Sequence, residues 1–188
     1  MISIEEANVL VKETLSEKRY NHSICVMERC AEYAKDLNVD IQKAKLMGIL
    51  HDIAKEMPSE EKIKYCMENG IDIEDIERVH VTLLHGKIAA HIAKEKYGLD
   101  DELSNAIKYH TTGRENMTIW EKILYVADTT SADRKYSNTE YFYNLSKENF
   151  DKALIEILIM TIKDRLDEKK MIHIDSINAL NYLISQEK

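Results

Sequence analysis

Turn-forming residues are scarce in this 188-residue chain, which has 5 Gly and 1 Pro. A sandwich or barrel of many short strands needs Gly- or Pro-bearing turns at short intervals, so their scarcity argues against one. With Leu, Ile, Ala, Lys and Glu abundant, the expectation is an all-α fold in one compact helical domain over residues 1–188. Cysteine is also rare: Cys25, Cys30 and Cys66 are odd in number and lack CxxC spacing, which excludes a disulfide framework and a structural zinc site. They read as buried thiols. No apolar run reaches 18 residues, and Met1 to Glu6 carries neither the basic flank nor the apolar stretch of a secretion signal, so the expected location is cytoplasmic. Positive charge is in deficit, with 26 Lys and Arg against 34 Asp and Glu. A surface of net charge −8 does not attract nucleic acid or anionic membrane, so neither is expected as a partner. A homodimer and a monomer fit the sequence equally.

What is present is helical periodicity. Ser3 and Glu6 have capping-box spacing ahead of a short helix to about Leu15. A second helix is predicted from Tyr20 to Leu37, and Asp40 caps a third, whose Ile41, Ala44, Leu46, Met47, Ile49 and Leu50 are apolar over most of the circumference. That third helix should be central, yet it runs into His51-Asp52-Ile53-Ala54-Lys55, where buried charge is costly unless paired or bound to metal. Ser59 is expected to cap the next helix, which stops at Asn69-Gly70. Further helices are predicted at Thr82 to Tyr97, Asp100 to His110, Thr118 to Asp128, Phe150 to Lys169 and Ser176 to Gln186. The last third shows periodicity without evident chemistry and reads as scaffold.

The candidate chemistry is a set of nitrogen and oxygen ligands: His22, His51, Asp52, His85, His110 and Asp128. Imidazole with carboxylate suits a borderline divalent ion such as iron, manganese or zinc, and such a set can hold two ions that share a carboxylate. A lone helical histidine is more often a hydrogen-bonded structural residue, and His80, His91 and His173 are read that way. An isolated His-Asp pair is weak evidence as well; several ligand-bearing segments in one chain are not.

The ordered segments Lys18-Arg19-Tyr20-Asn21-His22, Leu50-His51-Asp52-Ile53-Ala54-Lys55, Leu84-His85-Gly86, His110-Thr111-Thr112-Gly113-Arg114 and Ala127-Asp128 resemble the YqeK family of the HD superfamily. The resemblance covers roughly residues 5 to 185. It implies a symmetrical diadenosine tetraphosphate hydrolase that uses two divalent ions, with iron first and manganese or zinc as alternatives. By that resemblance His22, His51, Asp52 and Asp128 match one ion's ligands, and His85 and His110 the second's. A hydroxide held by the metal centre would attack the central phosphoanhydride and release two ADP.

Cations are then needed for the phosphates, and Lys18, Arg19, Lys55, Arg114 and Arg134 lie beside ligand segments. Asp52, Lys55 and Arg114 are the candidate catalytic residues. Thr111, Thr112 and Gly113 join the candidate substrate-binding set, because a glycine turn after His110 lets backbone approach phosphate. A helix stop explains Gly113 equally well, and a solvated helix end explains Lys55. Trp120 fits the apolar stripe of its helix and reads as core. One departure stands out: the family usually follows its last aspartate with a Tyr-Ile-Glu-Pro-like stretch and then an arginine. Here the chain reads Asp128-Thr129-Thr130-Ser131-Ala132-Asp133-Arg134, which keeps the arginine and puts Ser131 at the glutamate position. Two alternatives stay open: a mononucleotide phosphohydrolase, and a nucleotide-binding regulatory protein with little turnover.

Overall fold

Side-chain caps and apolar stripes define the helices of this computed structural model, which describes residues 1–135 and 138–186. Helix α1 (Ile4–Thr14) opens with the expected capping box between Ser3 and Glu6. Helices α2 (Glu17–Asp36) and α3 (Ile41–Leu50) follow, the latter held at its start by Asp40, whose carboxylate accepts from the backbone N–H groups of Gln42 and Lys43. Helix α4 (Ser59–Glu68) starts at Ser59 rather than being capped by it; Pro58 precedes the helix and no side chain caps it. The segment expected as one helix from Thr82 is a 3₁₀ turn (Val81–Leu83) leading into α6 (Leu84–Glu95), after a short α5 (Asp75–Val79) that periodicity did not reveal. Then come α7 (Asp101–Tyr109), α8 (Ile119–Thr130), α9 (Thr139–Glu148), α10 (Phe150–Asp167) and α11 (Ile174–Gln186). Among the described residues there is no strand, and no helix is long and apolar enough to cross a membrane.

Helix α3 is the axis of the molecule. Ala44 and Leu46 to Leu50 are all buried, and the helix packs against α1, α2, α7 and α8. Each buried Leu or Ile contributes roughly 1.5–3 kcal/mol by leaving water, so the centre of the fold is its most strongly held part. Close packing is set by glycine at two places. A Cβ on Gly48 would lie 2.8 Å from Met27 Cα, so only glycine lets α2 and α3 come this close. A Cβ on Gly86 would lie 2.9 Å from the carbonyl oxygen of Lys108, so glycine again permits the approach of α6 to the end of α7. Both lie within three residues of a candidate ligand, His51 and His85. Trp120 is buried in the core as read from its stripe, and so are Cys30 and Cys66, whereas Cys25 is only partly buried.

Candidate metal centre and flanking clefts

Four helix segments carry the histidines to one point. His51 follows the last turn of α3 and His110 the last turn of α7, while Asp128 lies in the final turn of α8. His85 is the second residue of α6 and His22 lies within α2. All four imidazoles and Asp52 are at most 3% exposed.

Their orientation follows from local backbone chemistry. Nδ1 of His51 lies 2.7 Å from the carbonyl oxygen of Gly48, that of His85 2.6 Å from Thr82 and that of His110 2.7 Å from Ile107. In each case the partner is three residues earlier, in a turn or helix end where carbonyls lack their usual intrahelical donors. A carbonyl only accepts, so each Nδ1 carries the proton and each Nε2 presents a lone pair. Those lone pairs converge. His85 Nε2 is 3.1 Å, His110 Nε2 3.6 Å and His51 Nε2 3.7 Å from the Asp52 carboxylate oxygens, and the Nε2 atoms of His85 and His110 are 3.0 Å apart. His22 is fixed differently. Its Nδ1 meets Asp133 Oδ2 at 2.9 Å, and its Nε2 is 3.0 Å from Asp128 Oδ1.

Burial pushes the His51 imidazole down to about 3 and the His85 imidazole down to about 4, so both are neutral near pH 7. Burial acts to raise the Asp52 carboxyl, but the surrounding imidazoles of His51, His110 and His85 outweigh it and hold it well below the carboxylate range. Asp128 is held low in the same way, chiefly by its contact with His22 against the effect of burial. The result is neutral His51 and His85 imidazoles facing ionised carboxylates in a dry site; burial acts to lower the His22 imidazole as well, but the Asp128 carboxylate prevails and raises it. Nε2 of His22, Nε2 of His51 and Oδ1 of Asp52 are buried without a hydrogen bond. Such atoms cost about 1–3 kcal/mol each when left unpaired, and a cation at their centre removes that cost. One ligand atom from each of His22, His51 and Asp128 lies within 4.8 Å of the other two, and His51, Asp52 and His110 form a second such group. The donor set therefore fits divalent metal. A third acidic cluster, Glu74, Glu77 and His173, does not require one, because Lys87 pairs with Glu77 at 2.6 Å and with Glu74 at 3.0 Å.

Two clefts reach this cluster. The wider, of about 740 Å³, has His110 and Asp128 in its wall with Arg19, Lys55 and Arg134. The narrower, of about 340 Å³, has His85 in its wall with Lys55, Thr111 and Thr112. Lys55 stands between them, its Nζ 3.0 Å from His85 Nε2 and 3.4 Å from Asp52 Oδ1. Arg19 reaches Asp52 Oδ2 at 3.4 Å, and Arg134 binds the Asp128 carboxylate and donates to its carbonyl oxygen at 2.9 Å.

Three expected phosphate contacts lie elsewhere. Lys18 is exposed and lines neither cleft. Arg114 is bound to the buried carboxylate of Glu121, at 3.0 Å from Nε and 2.9 Å from Nη2, and also lies over the Tyr109 ring. Glu121 belongs to the capping box of α8, so the arginine ties the α7–α8 turn to that helix and leaves the ligand cluster without it. Gly113, at φ +66°, terminates α7, and a Cβ there would lie 3.2 Å from Ala179 Cβ and 3.3 Å from Met117 Sδ. Its freedom serves a helix stop packed against α11, and it lines neither cleft.

Other residues entered the site without a sequence signal strong enough to find them. Asp133 was visible only as one acidic residue in the departing stretch after Asp128. Lys62 of α4 is buried and donates to the carbonyl oxygen of Lys55 at 2.9 Å, bracing the turn after the His-Asp pair. Burial pushes its ammonium down. The supposed scaffold also takes part: Thr161 and Arg165 of α10 line both clefts. His173, read as structural or surface, is buried, with Nδ1 accepting from the backbone N–H of Asp175 at 3.2 Å.

Comparison with known proteins agrees with this geometry. Residues 19–133 match the HD domain, a span that contains all six candidate ligands. A protein of Halalkalibacterium halodurans described as a symmetrical bis(5′-nucleosyl)-tetraphosphatase is 35% identical, over 95% of this chain and 96% of its own length. One of Staphylococcus aureus with the same description is 34% identical, over 96% of this chain and 94% of its own. A crystal structure from Clostridium acetobutylicum, described as a predicted HD superfamily hydrolase involved in NAD metabolism, superposes with a TM-score of 0.95 at 36% identity and full coverage of both chains. With its buried His-Asp pair among imidazoles and carboxylates and relatives alike over nearly their whole length, the chain belongs to the HD-domain hydrolases, in the group of the symmetrical bis(5′-nucleosyl)-tetraphosphatases.

Proposed function

We propose that the protein hydrolyses diadenosine tetraphosphate symmetrically, water and substrate giving two ADP, with two divalent ions, iron foremost, held by His22, His51, Asp52, His85, His110 and Asp128. The observation that carries this reading is the convergence of neutral Nε2 lone pairs and ionised carboxylates on one buried point that opens into two clefts. The descriptions of the relatives supply the substrate. Divalent ions bound there supply positive charge and the activation of water.

The chain's own residues do the rest. Lys55, Arg19 and Arg134 face the clefts and neutralise phosphate oxygens that the ligand set does not reach. Lys55 Nζ, present in both cleft walls and 3.0 Å from His85 Nε2, would stabilise the charge that develops on the departing ADP. Lys62 holds Lys55 in place through its backbone carbonyl. Burial of the cluster excludes bulk water, which strengthens each of these interactions.

The test is metal analysis of the purified protein combined with product chromatography after incubation with diadenosine tetraphosphate and iron or manganese. The expected result is about two ions per chain and ADP as sole product. Bound metal without ADP would move the reading to mononucleotide hydrolysis or a regulatory role. No metal under reducing conditions would overturn it.

A further inference from the structure

The two clefts differ in chemistry although the substrate proposed above has identical ends. The wider one is polar. Its inner wall carries Arg19, Lys55 and Arg134, and its outer wall the carboxylates Asp164, Asp167 and Glu168, so phosphates belong at its inner end. The narrower one exposes mainly apolar surface, with Ile76, Leu83, Ile162, Met171 and Ile172 in its wall beside threonine and serine hydroxyls and the imidazoles of His80 and His173, and with His85 and Lys55 toward the cluster. Its volume falls in the range of about 300–1,000 Å³ typical of small-molecule pockets, and a chamber of mainly apolar surface with hydroxyl and imidazole groups beside it suits a flat base, which needs both, better than a phosphate chain. A scissile bond at the centre of a dinucleoside tetraphosphate must lie at the ligand cluster, so one nucleotide half extends into each cleft.

Resting on the hydrolase reading, we infer that the narrow cleft between the α5–α6 connection, α10 and the α10–α11 connection is the nucleoside pocket, and that it grips one end of the substrate only. Arg165 stands on the wall shared by both clefts, 44% exposed and 3.4 Å from Glu168, and holds the phosphates that lead from the pocket to the cluster. The other nucleoside lies in the wide polar cleft without a matching chamber. A symmetrical substrate is thereby bound asymmetrically. It follows that a substrate with a single nucleoside is still accepted: adenosine 5′-tetraphosphate, with its base in the narrow cleft, takes up water at its central anhydride and gives ADP and pyrophosphate.

The experiment compares wild type, Met171→Asp and Arg165→Ala on diadenosine tetraphosphate and adenosine 5′-tetraphosphate. Met171 is half exposed at the pocket mouth, so a charge there alters the chamber without entering the core. For wild type, kcat/KM for the single-nucleoside substrate is expected within about tenfold of that for the dinucleotide, because one grip serves both. Met171→Asp should raise KM for both substrates by about tenfold, with metal content and melting temperature unchanged, since loss of a binding contact appears in KM. Arg165→Ala should raise both KM values too. An unchanged KM in Met171→Asp, or a wild type that rejects the single-nucleoside substrate while cleaving the dinucleotide, would overturn the pocket assignment alone. A wild type that makes no ADP from the dinucleotide would overturn the hydrolase reading itself.

Discussion

The cluster has two sides that are built in different ways. His51, His85 and His110 each receive their orientation from a carbonyl three residues earlier, within 2.6–2.7 Å, so the ring and its proton are set by the same short segment that supplies the ligand. His22 depends instead on Asp133, more than a hundred residues away and on the other side of α8. A carbonyl in the backbone cannot be removed by changing a side chain, whereas the Asp133 carboxylate can. The first side is therefore robust to surface substitution, and the second is open to tuning, in the very stretch where this chain departs from the pattern usual in its family.

The comparison breaks most completely at the carboxylate on which all three self-oriented imidazoles converge. Asp52→Ala should abolish metal binding and hydrolysis together, because Asp52 Oδ1 meets the imidazoles of His85 and His110 while Oδ2 faces His51. Retention of either in a metal analysis and an ADP-release assay would show that the cluster is not the metal centre. Asp133→Ala sharpens the contrast: it should weaken metal binding by about 10–100-fold on the His22 side, the usual cost of losing a ligand's hydrogen-bond partner, and spare the other side. Titration with manganese followed by isothermal calorimetry should then show one affinity reduced and one kept. Equal weakening of both would mean that the two sides are not independent.

Gly86→Ala tests the self-oriented side through packing alone. The added Cβ meets the Lys108 carbonyl oxygen at 2.9 Å, so α6 must move from α7, and a loss of about 1–3 kcal/mol is expected in denaturant unfolding. Because that movement parts His85 from His110, activity should fall in the fraction that stays folded. The smallest effect belongs to a tie that resembles the His22–Asp133 contact in its length along the chain but lies away from the cluster. Glu32 of α2 accepts from Tyr143 at 2.7 Å and from Lys147 at 2.6 Å, both on α9. Burial acts to raise its carboxyl, but Lys147 and Tyr143 prevail and lower it below the ordinary 4.5. A carboxyl lowered on folding stabilises above its unfolded value and loses that contribution as pH falls through the lowered one. Glu32→Gln should therefore cost about 0.5 kcal/mol at pH 7, as expected for a half-exposed pair, and nothing in strong acid, with activity per folded molecule unchanged. Melting curves at several pH values check it.

Much of this was legible in the chain. The apolar circumference of α3, the capping pairs Ser3–Glu6 and Thr118–Glu121, and Asp100 at the head of α7 are local signals, because capping and periodicity act within a few residues. Helices α5 and α9 were not legible: α5 spans only 5 residues, and α9 opens without a side-chain cap. Short segments carry too few periods to separate from loops, and their helicity comes from packing.

The same division holds at the site. The sequence by itself determined the all-helical class and the six candidate ligands, since residue type and order along the chain are enough for both. Only the tertiary structure decided which cations stand at the cluster. Arg114 and Lys18 lie only one residue farther from ligands in sequence than Lys55 and Arg19, yet Glu121 binds the first and Lys18 stays at the surface. It also brought Asp133 to His22, placed Lys62 under the turn that bears Lys55, and set Arg165 of α10 in the wall of both clefts. These contacts join one helix to another or to a turn, from seven to more than a hundred residues along the chain, and no local pattern records them: they arise only when helices close over a common core and each side chain meets whatever the packing places opposite it.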